Sequence, residues 1–259
     1  MSAEQLENPD LPGALRPASD WTADAGCIDV WHVDLAGVAA QRLAVLSASE
    51  RERAARREKL RGGATVETFG ASRAALREIL AGYLGSTATD LVISVAGHGR
   101  PKLEVVDGPE LDFNISHTGR HALVAVCTAA RVGVDIETLD RSRDVEAVAA
   151  RFFTQAEQHR VLSAEDVAHT FYRMWTCKEA YLKAVGTGLS RSPRSFEIDL
   201  GDTDGSTRGW RVGVLDTHSA DGSTALLCEL GAQEDRVASL CVLDAELRLR
   251  LFDAGELIR

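Results

Sequence analysis

The pattern of apolar and polar positions changes character several times along the chain. CIDVWHVDL, residues 27–35, alternates with period two and predicts a strand. SASERERAARREKLR opens on a serine suited to an N-cap and continues as a polar helix, which Gly62-Gly63 breaks. In TFGASRAALREILAGYLG the residues Phe69, Ala75, Leu76, Ile79, Leu80, Tyr83 and Leu84 recur at helical spacing, and Gly85 ends the run. Short strands are expected at LVISVA and PKLEVV about the turn GHGRP. DFNISHTGRHALVAVCTAARVGVDIE then reads as a strand, a polar turn, a strand, a break at Ala129-Ala130-Arg131 and a third strand. Residues 144–167 are expected to be helical with interruptions, and TFYRMWTCKEAYLKAVGTGL forms a strong helix stopped by Gly186 and Gly188. Strands return at SFEIDL, WRVGVL, TALLCEL and VASLCVL, split by GDTDGSTRG and SADGS. Residues 1–25 show no periodicity and are expected to be a loose tail.

The two halves share an order. In each, a long helix ending in glycine precedes a set of short strands, with a period of about 100 residues, too long for a solenoid. The expected fold is α+β: a pseudodimer of two similar α/β lobes, each a long helix packed on a small, mainly antiparallel sheet. The lobes would span residues 26–143 and 144–259, with a ligand cleft between them.

Composition narrows the classes. With 259 residues, 45% of them hydrophobic, the chain can bury a substantial core. Neither a membrane-length apolar run nor a basic-then-apolar amino terminus is present. Five scattered cysteines without a C-x-x-C pair fit a reducing cytoplasm better than a disulfide framework or zinc site. A net charge of -10 argues against a nucleic-acid partner. The local basic run RERAARREKLR, Arg51 to Arg61, is either a solvated helix face or a phosphate-binding surface.

VGVDIETLDR, residues 132–141, places Asp135 and Glu137 in an otherwise apolar, β-branched run. On a strand they share one face, with Cα atoms roughly 7 Å apart. Either both acids meet water at a strand end, or something positive sits between them. FNISHTG places Asn114, Ser116, His117 and Thr118 in a polar turn that could hold a phosphate oxygen, although a lone histidine is more often structural. In WTCKEAYLKAVGTGL, Glu179 lies four residues before Lys183, on one helix face; the pair is an ordinary surface ion pair or part of a site, with Trp175, Tyr181 and Leu182 holding the helix down. Three acids from two elements suit Mg²⁺, which keeps waters and shares substrate phosphates. The chemistry indicated is phosphoryl or phosphodiester transfer.

GRP at 99–101, FNISHTG, GVDIE, RFFTxxE at 151–157 and WTCKEAYLKAxGxGL occur in the order and spacing of the 4'-phosphopantetheinyl transferases. Over residues 28–200 the chain resembles the two-lobed, surfactin-synthetase-activator type rather than the short trimeric acyl-carrier-protein synthases. The resemblance implies that coenzyme A binds between the lobes and that a serine of an apo carrier protein attacks its β-phosphate, so that 3',5'-ADP leaves. It implies Asp135, Glu137 and Glu179 as the Mg²⁺ set, with Mn²⁺ as an alternative ion. Glu179, Glu137 or a metal-bound water would take the serine proton. His117 with Ser116, and Lys183, would meet the pyrophosphate; Arg73, and more weakly Arg53, would meet the 3'-phosphate. Arg100 stands where a lysine is common and would keep that charge on the cofactor. Glu50 stands where a basic residue is expected, and the Gly62-Gly63 region is longer than usual.

The implied partners are acyl, peptidyl or aryl carrier proteins of fatty acid, polyketide or nonribosomal peptide synthesis, with a cytoplasmic monomer as the acting form and neither nucleic acid nor membrane involved. Rival readings are a coenzyme A-binding module without turnover and a metal-dependent phosphohydrolase.

Overall fold

The computed structural model describes residues 24–61, 64–95, 99–104, 110–200, 212–215, 225–230, 235–245 and 247–254. The loose tail expected at residues 1–25 and the break at Gly62-Gly63 therefore fall largely outside the described residues. Strands are β1 (Cys27–Asp34), β2 (Val92–Val95), β3 (Pro101–Glu104), β4 (Asp112–Thr118), β5 (His121–Cys127), β6 (Val132–Thr138), β7 (Glu197–Asp199), β8 (Val212–Leu215), β9 (Ala225–Glu229), β10 (Arg236–Leu243) and β11 (Arg248–Asp253). Helices are α1 (Ala48–Arg61), α2 (Ala64–Leu84), α3 (Val145–Phe152), α4 (Gln155–Leu162) and α5 (Val167–Val185). The fold is mixed α+β.

Local chemistry sets the helix ends. At the head of α1 the Ser47 hydroxyl accepts from Glu50 N (3.3 Å) while the Glu50 carboxylate accepts from Ser47 N (2.9 Å), a capping box. The same carboxylate receives the buried Arg77 guanidinium at 2.7 Å, which explains an acid where a base was expected: Glu50 ties α1 to α2. Thr154 and Glu157 form a second capping box on α4. Helix α5 stops at Gly186, whose φ of 85° lies in the left-handed region that glycine enters without strain.

One sheet has the order β11-β1-β5-β4 and another β6-β10-β9-β8-β7; β2 and β3 form a separate ribbon. Strand alternation divides the core into three layers. Trp31, Val33, Val124 and Val126 pack under Ala75, Leu76 and Ile79 of α2. Ile28, Val30, Leu123 and Ala125 of the first sheet meet Val134, Ile136, Leu240 and Val242 of the second. On the far side, Val237, Cys241 and Leu227 pack against Met174, Cys177 and Ala180 of α5. The order is helix, sheet, sheet, helix.

Two expectations need correction. Val132–Thr138 was grouped with the N-terminal half, but β6 pairs antiparallel with β10, Asp135 opposite Ser239, in the C-terminal sheet. The strand at Arg248–Asp253 was not expected; it returns to the first sheet and runs parallel to β1. Its arginines alternate with apolar residues, and Arg250 binds the buried Asp29 carboxylate at 2.5 and 2.7 Å.

Candidate functional site

Strand β6 is an edge of its sheet and β4 is an edge of the other. An edge strand leaves backbone N–H groups that need partners. The polar side chains of β4 supply them. Asp112 Oδ2 accepts from Val132 N at 2.7 Å, Asn114 Oδ1 from Val134 N at 3.1 Å and Thr118 Oγ1 from Thr138 N at 3.2 Å, always twenty residues apart. The residues expected to fill a polar turn are therefore a strand, and the turn shrinks to Gly119-Arg120. The D-x-N-x-S-x-T alternation exists because one face of β4 caps a neighbouring strand.

Ser116 is the rung of this ladder turned to another purpose. Its hydroxyl donates to Asp135 Oδ1 at 2.7 Å. Lys183, one helical turn beyond Glu179, donates to Ser116 Oγ at 2.9 Å, to Val134 O at 2.9 Å and to Asp135 Oδ1 at 2.6 Å. Those three bonds use all three ammonium donors. Lys183 thus closes on Asp135 of the strand beneath α5, instead of on Glu179 in its own helix. The other oxygen of Asp135, Oδ2, is buried and has no hydrogen-bond partner among the described residues.

Gly133 makes this meeting possible. A Cβ there would lie 2.1 Å from Ala180 O and 2.4 Å from Ala184 N, so α5 rests directly on the strand backbone. Gly133, Asp135 and Glu137 share the helix-facing side, which places both acids against Lys183, Glu179 and Trp175. The puzzle of two acids in an apolar strand resolves here: they face the seam with α5, while Val132, Val134 and Ile136 face the core between the sheets.

Burial and mutual repulsion dominate the electrostatics. Burial, then the Asp135 charge, pushes the Glu137 carboxyl up to about 7, against weaker opposing effects of Lys183, Arg143 and a hydrogen bond from Trp175. Glu179 is raised by the same two causes, burial first. Among the described residues no three acid, histidine or cysteine side chains already converge at metal-binding range. Even so, the donor chemistry fits a hard cation. Asp135 offers an oxygen unpartnered among the described residues, and burial beside the Asp135 charge raises the carboxyls of both Glu137 and Glu179.

The remaining expected residues are dispersed. His117 follows Ser116 on β4 and so points to the opposite face, that of Phe113 and α2, apart from the Asp135 cluster. Arg73 lies on α2 with its guanidinium 5.4 Å from the Phe69 ring centroid. Arg53 is exposed on α1. Arg100, expected on a phosphate, is largely used internally: it binds Asp112 at 2.6 Å, Val132 O at 2.9 Å, Phe113 O at 3.3 Å and the Lys183 carbonyl. The guanidinium fork clamps β4, β6 and the end of α5 together, and burial lowers its pKa. RFFTxxE has a similar structural role, since Glu157 forms a buried ion pair with Lys178 at 2.7 Å and accepts from Ile198 N at 2.8 Å.

Reading the sequence missed Gly133 as the contact point for α5, although a glycine inside a buried strand signals close backbone approach. It also missed the capping role of Asp112, Asn114 and Thr118, for which the period-two polar stripe was the available sign.

Residues 131–241 match the family model described as the 4'-phosphopantetheinyl transferase superfamily. A 4'-phosphopantetheinyl transferase, HetI, of Nostoc sp. is 40% identical over 139 residues, covering 52% of this chain and 58% of that protein. The 4'-phosphopantetheinyl transferase Sfp of Bacillus subtilis is 30% identical over 128 residues, covering 48% and 54%. The chain therefore spans a little over half the length of these curated relatives. A holo-(acyl-carrier-protein) synthase structure from Bacillus anthracis covers 45% of the chain and is itself covered over 98%, at 21% identity and a TM-score of 0.37, a level at which shape carries no weight.

Proposed function

We propose that this chain, whose residues 131–241 match the 4'-phosphopantetheinyl transferase superfamily model, moves the 4'-phosphopantetheine arm of coenzyme A onto a serine of an apo carrier protein and releases 3',5'-ADP. The observation that carries the reading is the Asp135 cluster, in which a strand acid, a helix lysine and a serine from the neighbouring sheet meet beside two further carboxyls. Asp135, Glu137 and Glu179 would hold a divalent cation, Mg²⁺ or alternatively Mn²⁺. Such an ion would supply charge neutralisation for a diphosphate.

The chain's own residues have separate tasks. Lys183 and Ser116 hold Asp135 in place. Glu179 and Glu137 are the carboxylates available to take the serine proton, a role that typically contributes about 10²–10⁴-fold and suits a carboxyl raised toward neutrality. His117, Arg73 and Arg53 form the phosphate-binding candidates on the N-terminal side, supported by position along the chain. Arg100 supports the site by clamping its walls.

We also read the molecule as two related lobes with the active site at their junction. The support is topological: β1-β5-β4 and β6-β10-β9 repeat one pairing order, first strand beside last beside middle. On this reading the lobe boundary falls at the break 128–131 rather than at 143, and β11 is added to the first lobe. A monomer in a reducing cytoplasm is the acting form we expect; all five cysteines are free and buried. Acyl, peptidyl and aryl carriers are the acceptors to try.

The test is intact-mass spectrometry of apo carriers incubated with coenzyme A, Mg²⁺ and the protein. A gain of one phosphopantetheine arm is expected. Coenzyme A binding with no gain on any of several carriers would overturn the proposal in favour of a module without turnover, and cleavage of coenzyme A without acceptor would point to a hydrolase.

A further inference from the structure

The cations around the acid cluster differ in what they have left to give. Lys183 has committed its three donors to Asp135, Ser116 and Val134 O. Arg100 is bound to a carboxylate and backbone carbonyls. Arg141 is paired with Asp166 at 2.8 Å and Arg173 with Glu229 at 2.8 Å. Arg143 stands apart. Among the described residues its guanidinium makes neither a hydrogen bond nor an ion pair; it is held by stacking, 5.8 Å from the ring centroids of both Phe171 and Trp175.

That support is rigid and close to the site. Phe171 is fully buried and nearly parallel to Trp175, with ring centroids 6.1 Å apart, and Phe152 meets Trp175 edge-on at 5.4 Å. The Glu137 carboxyl, on the strand face that meets α5, feels the Arg143 charge. The aromatic side chains thus carry an exposed guanidinium with free donors beside the outer acid of the cluster. A guanidinium stacked on aromatic faces keeps its in-plane N–H groups available for a planar anion.

We propose that Arg143 is a phosphate-recognition residue of this site, the outer cation that meets the substrate diphosphate on the side of Glu137, while Lys183 is occupied in holding Asp135. The inference rests on the transferase reading and adds a residue to it. Charge balance gives the reason. Three carboxylates set against Lys183 and one divalent ion leave no positive charge over for a diphosphate, and Arg143 supplies the excess. An acidic group on the acceptor protein is the competing ligand, and kinetics separates the two.

The experiment compares wild type with Arg143→Ala, Arg143→Lys and Arg143→Glu. Coenzyme A binding is measured by calorimetry with and without Mg²⁺, and KM is measured separately for coenzyme A and for the apo carrier. Loss of charged hydrogen bonds predicts a Kd for coenzyme A weakened about ten- to hundredfold in Arg143→Ala, in both metal conditions. Partial recovery is expected in Arg143→Lys and a further loss in Arg143→Glu, with KM for the carrier unchanged. The residue is exposed, and matched melting curves verify that the variants fold. An unchanged Kd, or a rise confined to KM for the carrier, overturns the assignment. Wild-type protein that binds no coenzyme A defeats the transferase reading itself, a result distinct from either.

Discussion

Substituting Gly133 by alanine adds a single methyl group at the place where α5 rests on β6. The new Cβ would stand 2.1 Å from Ala180 O, 2.4 Å from Ala184 N and 3.1 Å from the Ala180 carbonyl carbon, whereas ordinary van der Waals contact begins at 3.4 Å. All three atoms are helix backbone, so no side chain can swing aside, and strand and helix must separate by roughly 1 Å or more. Overpacking of this kind costs about 1–3 kcal/mol, and a clash between two backbones belongs at the upper end. For a chain of this size, 2–3 kcal/mol lowers Tm by about 4–12 °C. The same separation stretches the 2.6 Å contact between Lys183 and Asp135, so coenzyme A turnover should fall along with stability. The assay is thermal and urea denaturation of Gly133→Ala beside Gly37→Ala, whose Cβ would meet nothing within 4 Å. A Gly133→Ala protein that melts with the wild type and keeps full turnover would refute the claim that this contact sets the site.

Asp135→Asn should abolish arm transfer while the protein remains folded, because it removes a proposed metal ligand but keeps an amide oxygen for Lys183 and Ser116; full turnover under limiting Mg²⁺ contradicts the assignment. Glu137 has a folded-state pKa of about 7 against an ordinary 4.5, so the folded protein binds its proton more tightly than the unfolded chain does. Stability of the metal-free protein should therefore fall as pH rises from about 4.5 to 7, and Glu137→Gln should flatten that slope in denaturation curves; an identical slope in both proteins would show that Glu137 does not cause it. Lys178→Ala strands the buried Glu157 carboxylate and should cost about 3–5 kcal/mol in urea unfolding, whereas a loss below ~1 kcal/mol would mean the pair is not truly buried.

Much of the fold could be read from short-range pattern. The helical apolar spacing of α2, the glycine stop of α5 at Gly186 and the alternation in β1 could each be read within one element. The acid pair on β6 was also legible, because carboxylates in a V-G-V-x-I-x run contradict burial and demand a reason. What escaped depends on partners distant in the chain. Sheet membership of β6 follows from pairing with β10, about 100 residues away, and its apolar face suits either sheet equally. The function of Arg100 is set by carbonyls of Phe113, Val132 and Lys183 from three separate elements. FNISHT read as a turn because its polar residues resemble loop composition, while their partners are the backbone N–H groups of a strand twenty residues later.

The account turns on one ion shared by a strand pair and a helix. Anomalous diffraction from crystals grown with Mn²⁺ and coenzyme A measures this directly. The prediction is a single strong peak bounded by Asp135 Oδ2, Glu137 and Glu179, with the diphosphate against it and Lys183 alongside. A diphosphate bound elsewhere, with no peak among those three carboxylates, would contradict the account.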